Sequence, residues 1–272
     1  MSSSLGVSRP DQAAYMLRAA ERDAGRAYKA RLLELLDVRA GHTVLDVGCG
    51  PGTDLPALAG RAGADGTVIA VDRDPVMLAR ARERTADLAG VEFREGDAHA
   101  LPVASGVVDR ARTDRMLMHV ADPAEVLAEL YRVTRPGARI ALAEPDWDTL
   151  VVDSGDLETS RAFTRYTASV AVRNATIGRA LPRLARGAGF QVETVFAETP
   201  HFTDVAEADY ALGLGRNMER AIDEGRVARE RGRRWFEGLF QGPFFASFTL
   251  VAVVCTHPGG PGPAMTPEAA AR

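Results

Sequence analysis

With 272 residues, 46% hydrophobic and 26% charged, the chain can bury one sizeable core with additions, or two small ones. A net charge of -4 and a pI near 5.8 argue against a polyanion as the principal partner. No apolar run reaches the length of a membrane span, and Met1-Ser2-Ser3-Ser4 lacks the charged-then-apolar pattern of a signal peptide, so a soluble cytoplasmic protein is expected. The two cysteines, Cys49 and Cys255, cannot form a zinc site alone and fit a reducing compartment.

Residues 1–9 are expected to be loose. From Pro10 to Asp37 the apolar positions Tyr15, Leu17, Ala20, Ala24, Tyr28, Leu32, Leu35 and Leu36 recur at threes and fours, which predicts two helices split near Gly25. Next comes a buried-strand run, Val44-Leu45-Asp46-Val47, and then Gly48, Gly50 and Gly52 turn the chain into a helix starting near Thr53 or Asp54. Glycines at this spacing let a ligand approach the backbone, and the helix start offers unpaired N–H groups. Asp46 beside the loop repels phosphate and favours a positively charged ligand. The dinucleotide fingerprint G-x-G-x-x-G is a poorer match, because Thr53 stands where its last glycine would be.

A strand over 67–71 ends at Asp72, followed by Arg73. Asp72 lies about 20 residues beyond Gly52, where doubly wound nucleotide folds place a carboxylate that accepts from both ribose hydroxyls. The competing role, a helix cap, suits Asp74-Pro75 better. A helix from Pro75, a third strand over 91–95 and the turn Gly96-Asp97-Ala98 come next. The fourth strand, 107–113, is less apolar on one side than a buried strand should be. Its carboxyl end, where open α/β sheets bind ligands, carries Asp114, Arg115 and His119. A helix after Asp122-Pro123 leads to a fifth strand over 139–144, ending in Pro145-Asp146-Trp147.

Residues 150–177 form an insertion with Arg161, Phe163, Arg165, Tyr166 and Arg173 expected on helix. A helix over 177–188 and a strand over 191–196 follow. A second insertion, 205–241, is helical and rich in arginine at Arg216, Arg220, Arg226, Arg229, Arg231, Arg233 and Arg234. Interleaved acids at Glu219, Asp223, Glu224 and Glu230 predict a solvated face laced with ion pairs, with an RNA or anionic-lipid surface as the alternative. The apolar run 244–255 is the last strand, and a Pro/Gly cluster then opens a tail, 257–272, expected to be disordered. No internal repeat or second core is evident.

The run around Asp46, Gly48, Gly50 and Gly52, with the long match over 114–137, resembles the class I S-adenosylmethionine-dependent methyltransferases. The resemblance covers about Val38 to Asp146. It implies an α/β fold: a doubly wound, Rossmann-like, seven-stranded sheet, mostly parallel with an antiparallel last strand, plus helical cap insertions. It divides the chain into an N-terminal helical segment (1–37), a methyltransferase domain (38–256) and the tail.

The same resemblance implies S-adenosyl-L-methionine as cofactor, with Asp46, Gly48, Gly50, Gly52, Asp72 and Arg73 around it. Asp97 and Ala98 would read the adenine, and Asp114 or Arg115 would lie near the methionine half. Tyr15 and Lys29 are candidate lid contacts, with core packing the alternative role for Tyr15. The insertions, where family members differ, are expected to form the pocket roof, though they could dimerise as readily as they could form a lid.

Methyl transfer needs alignment and exclusion of water more than a strong base. Where an acceptor must lose a proton, His119 and Glu144 are the catalytic candidates, with Asp146 and His201 behind them. For His119 a structural role is the alternative, and for Glu144 a pocket wall. No metal is expected, although Asp114, Glu144 and Asp146 could in principle form a magnesium site. By resemblance to quinone-biosynthesis and bacterial natural-product enzymes, the acceptor is O, N or C of a small, partly apolar metabolite, not nucleic acid. A cofactor used only to shape a pocket for cyclisation or decarboxylation is the second reading, and RNA binding is the third.

Overall fold

The run Val44–Val47 has apolar side chains on both faces, which only a central strand can bury. The computed structural model, which describes Ala13, Leu17 and residues 23–259, places β1 (Thr43–Val47) at such a position. It pairs in parallel with β2 (Thr67–Asp72) on one side and β4 (Val108–Asp114) on the other. β3 (Val91–Glu95) extends the sheet beyond β2, and β5 (Thr134–Asp153) extends it beyond β4, both in parallel. β8 (Phe245–Thr256) runs antiparallel to β5 and to β6 (Gln191–Glu198), giving the order β3-β2-β1-β4-β5-β8-β6. The two-residue β7 (His201–Phe202) adds an eighth strand, paired with β8 off that path.

Helices α1 (Asp23–Leu36), α2 (Leu55–Ala62), α3 (Pro75–Arg84), α4 (Pro123–Val133) and α6 (Ile177–Gly187) bury the sheet. Several begin where local chemistry requires. Asp74 accepts from the Val76 N–H at 2.9 Å, and Asp122 accepts from Ala124 at 2.8 Å, each with proline in the first turn. One buried cluster, with Leu45, Val71, Leu127, Ile140 and Leu181, covers one sheet face; a second, with Leu32, Leu36, Val44, Leu58 and Val254, covers the other.

Several expectations are corrected. α1 runs through Gly25 without a break; Tyr15, the first nine residues and the tail from residue 260 lie outside the described residues. β5 does not stop at Glu144. After an irregularity beyond Asp146 it resumes pairing with β8 at Val151–Asp153, burying Leu150 and Val152 while Val151 faces out. Arg173 lies in a turn, after α5 (Leu157–Tyr166) and one π-helical turn (Thr167–Ala171).

The tail does not begin at residue 257. His257 is buried and stacks on Tyr131 with ring centroids 3.9 Å apart, and its backbone pairs with Gly137 and Ala138. A third apolar cluster joins α5 to α7 (Val205–Leu212), α8 (Leu214–Asp223) and α9 (Arg229–Gly238) through Phe163, Leu214, Met218, Trp235 and Phe236. The indole N–H of Trp235 donates to Ser160 Oγ at 2.9 Å. Trp147 and Phe248, stacked 4.8 Å apart, pack against this cap from the sheet. Among the described residues no helix is long and apolar enough to cross a membrane.

Candidate active site

The carboxyl ends of β1, β2 and β4 and the turn after β3 open on a cavity of about 1010 Å³. β1 delivers the chain to the glycine loop, where the Gly48 and Cys49 N–H groups both donate to Val71 O, at 2.8 and 3.1 Å. Gly48 has φ 71°, and a Cβ there would lie 2.5 Å from Met116 Cγ, so both backbone and packing require glycine. Gly50 (φ 52°) faces the cavity. Gly52 does not: its missing side chain makes room for Leu55 and Ala81, so it packs the loop onto α3 instead of lining a ligand site.

Asp72 sits beside the loop at the end of β2. One oxygen accepts from the Gly50 N–H at 2.8 Å and the other from the Asp74 N–H at 2.9 Å. Each oxygen keeps a lone pair, so the carboxylate is held in place and can still accept two hydroxyl hydrogens. Arg73 and Ala98 line the same cavity. Asp97, exposed at its edge, accepts from the His99 backbone N–H at 2.9 Å and lies 2.6 Å from His99 Nδ1, and these bonds lower its pKa.

Asp46 departs from its expected role as a free negative charge. It is buried 3.9 Å from Arg112, and burial raises its pKa to about 6 against the pull of that guanidinium. Arg112 belongs to a larger buried set, reaching Asp54 at 2.6 Å and Asp114 at 3.0 Å. Lys29 contacts the same two acids at 2.5 and 3.2 Å, and the Tyr28 hydroxyl donates to Asp114.

Burial opposes charge on Asp54 and Asp114, but the surrounding cations pull both below the usual carboxylate range. Arg112 is likewise opposed by burial and held protonated by Asp54, Asp46 and Asp114. With Arg115, which also reaches Asp114, three acids face three cations among the described residues. Sequence reading missed Tyr28, Asp54 and Arg112 as members; the unexpectedly polar fourth strand was the signal for Arg112.

Arg115 follows with a left-handed φ of 55°, its N–H donating to Ala143 O at 2.8 Å and its Nε 3.3 Å from Asp114. Strain of this kind concentrates at functional sites. It starts the tight segment Met116–Met118, whose three consecutive N–H groups all donate to Glu144, at 2.8, 2.6 and 3.3 Å. Glu144 has no solvent exposure and does not line the cavity. The structure makes it a positioning group for the cavity wall, not the base proposed for it.

His119, in contrast, stands exposed on the cavity and makes no side-chain hydrogen bond among the described residues. Partial burial and the charge of Arg73 lower its pKa from 6.5, leaving it neutral and able to accept a proton. Asp146 is buried and gripped by both ends of the Arg179 guanidinium, and His201 stacks on Phe245; neither lines the cavity. Asp114, Glu144 and Asp146 thus each have other partners, and among the described residues no acid, histidine or cysteine group is arranged to hold a metal.

The far side of the cavity comes from both insertions: Thr167, Val172 and Arg173 from the first, Tyr210, Arg216 and Arg220 from the second. Trp147, Met116 and Met118 add apolar wall.

A family model described as a methyltransferase domain matches residues 39–189. An uncharacterized 37.1 kDa protein in transposon TN4556 of Streptomyces fradiae is 50% identical over 245 residues, 90% of this chain and 71% of that one. Methyltransferase GfsG of Streptomyces halstedii is 41% identical over 123 residues, 45% of this chain and 44% of its own. The chain therefore spans less than half the length of that named relative. Among solved structures, the YcgJ protein of Bacillus subtilis superposes with a TM-score of 0.62 at 16% identity, covering 86% of this chain and 100% of that one, a likeness of fold.

Proposed function

The chain belongs to the class I S-adenosylmethionine-dependent methyltransferases, and from that premise we propose that it methylates O, N or C of a small, partly apolar metabolite, in bacterial secondary metabolism. The observation that carries this reading is the single cavity that runs from the loop at Gly48–Gly50 and the Asp72 carboxylate to a wall of Trp147, Met116 and Met118. At about 1010 Å³ it lies at the upper end of small-molecule sites, with room for a cofactor and an acceptor together.

The residues present fit the cofactor. Asp72 offers two oriented acceptors to a ribose diol, Asp97 retains an unused oxygen for an adenine amino group, and the glycine loop exposes backbone. Bound there, S-adenosylmethionine supplies an electrophilic methyl on a sulfonium, and the departing sulfur takes the bonding electron pair. The protein's own contribution is alignment. The segment Met116–Met118, clamped by Glu144, fixes one wall, and the ion set of Lys29, Asp54, Arg112 and Asp114 fixes the floor. Where the acceptor must lose a proton, neutral His119 takes it.

Calorimetry on the purified chain with S-adenosylmethionine, S-adenosylhomocysteine and NAD, with Asp72→Ala alongside, tests the reading. Micromolar binding of the first two, lost in the variant, is expected. Binding of NAD alone refutes it.

A further inference from the structure

The charged groups around the cavity are divided by origin. Its acids, Asp46, Asp54, Asp72, Asp74, Asp97 and Asp114, all come from the strand ends of the first half of the chain. From Trp147 onward the lining residues include Arg173, Arg216 and Arg220 and no carboxylate. The expectation that the arginine-rich insertion is a solvated face laced with ion pairs holds for Arg229, on Asp223, and for Arg231, on Asp156 and Glu158.

It fails for Arg216 and Arg220, which, like Arg173 of the first insertion, make no ion pair or side-chain hydrogen bond among the described residues. Of the acids on α8 and just beyond it, Asp223 is engaged by Arg229 and Glu224 by the Tyr166 hydroxyl at 2.8 Å, while Glu219, between the two arginines in sequence, does not line the cavity. Arg216 and Arg220 are four apart on α8 and so share a face. Arg216 is also held close to its own helix start, since a Cβ on Gly213 would lie 2.5 Å from the guanidinium. Guanidinium groups that line one cavity without an acid partner suit a planar or tetrahedral oxyanion.

We propose that the roof of the cavity is an anion subsite, in which Arg173, Arg216 and Arg220 hold a carboxylate or phosphate-type group of the methyl acceptor while its apolar body lies against Trp147, Met116 and Met118. This rests on the cavity being the acceptor site and specifies the acceptor as amphipathic, with an apolar body and an oxyanion at one end. The arginines act by orienting the acceptor; no bond to the anion is made or broken.

The test titrates the full chain, saturated with S-adenosylhomocysteine at fixed ionic strength, with inorganic diphosphate and with benzoate, which separate phosphate from carboxylate. Saturable one-site binding of at least one probe is expected. It should weaken about tenfold or more in Arg216→Gln/Arg220→Gln, in line with the loss of charged hydrogen bonds, while S-adenosylhomocysteine affinity stays unchanged. Absence of saturable binding of both probes overturns the proposal, as does equal binding in the double variant.

A single-stranded RNA oligomer that binds more tightly than either probe, with the same arginine dependence, also overturns it in favour of a polyanion surface. Should the double variant lose S-adenosylhomocysteine binding as well, Arg173→Gln, on a different element, decides: weakened probe binding supports the subsite and unchanged binding refutes it. Probe binding to the wild-type chain without any S-adenosylhomocysteine affinity would refute the cofactor reading and leave the anion subsite standing.

Discussion

Glu144→Gln tests whether this residue is a buried, proton-holding clamp on the segment Met116–Met118. The wild-type carboxyl has no solvent exposure, and burial pushes its pKa from 4.5 up to about 8, against three backbone N–H bonds that favour the anion. In the unfolded chain it titrates near its ordinary value, so between these two values the folded chain keeps a proton that the unfolded chain has lost. The associated stability is complete below about pH 4.5 and is lost as pH rises through about 8. At about 1.4 kcal/mol per unit, the full swing is on the order of 5 kcal/mol.

Glutamine keeps the shape and the two short bonds to Met116 and Leu117 but turns a donor toward Met118, a penalty of about 1–3 kcal/mol. It cannot titrate. Urea unfolding of both proteins from about pH 5 to about pH 9 should therefore show the substitution costing most at the acid end, with the cost shrinking, and even reversing, toward the alkaline end. A cost that stays constant across the range, or grows with pH, refutes the assignment of Glu144 as a buried, proton-holding clamp.

Arg112→Met leaves Asp46, Asp54 and Asp114 buried with one cation fewer and should destabilise by about 3–5 kcal/mol, read as a fall in Tm of several degrees. In Gly48→Ala the new Cβ meets Met116 on a backbone with positive φ; S-adenosylhomocysteine affinity should fall at least tenfold by calorimetry, with about 1–2 kcal/mol lost in stability. If His119 is the base, kcat/KM should be flat above pH 6.5 and decline at lower pH, and His119→Gln should remove that decline along with about 10²-fold or more of the rate. Arg73→Gln, by removing the positive charge that lowers the His119 pKa, should move the acid limb to higher pH.

The sheet was legible because its strands advertise themselves locally. Val44–Val47 and 67–71 are apolar on both faces, and Asp74-Pro75 and Asp122-Pro123 cap the helices that follow, so short-range patterns suffice. The glycine spacing and the distance to Asp72 picked out residues that line one end of the cavity for the same reason. β5 was cut short at Glu144 because Pro145 and the charged residues after it look like a turn, whereas pairing with β8, with Asp146 opposite Thr249 and Val151 opposite Ser247, continues the strand.

Partnership was not legible, since it depends on residues far apart in the chain. Glu144 looks like a base until the N–H groups of Met116–Met118 are seen to occupy it, and Asp46 looks like a free charge until Arg112 is found beside it. Gly52 reads as a ligand-facing glycine, yet Ala81 of α3 fills the space in front of it. Conversely, Arg216 and Arg220 sit among acids in sequence but face a cavity that contains none from their own half of the chain. The sequence by itself determined the succession of strands and helices along the chain and the loop after β1, because strand periodicity and helix caps follow from neighbouring residues. Only the tertiary structure decided which charges are spent on one another and which remain for a ligand, because electrostatic pairing depends on distance in space and on burial.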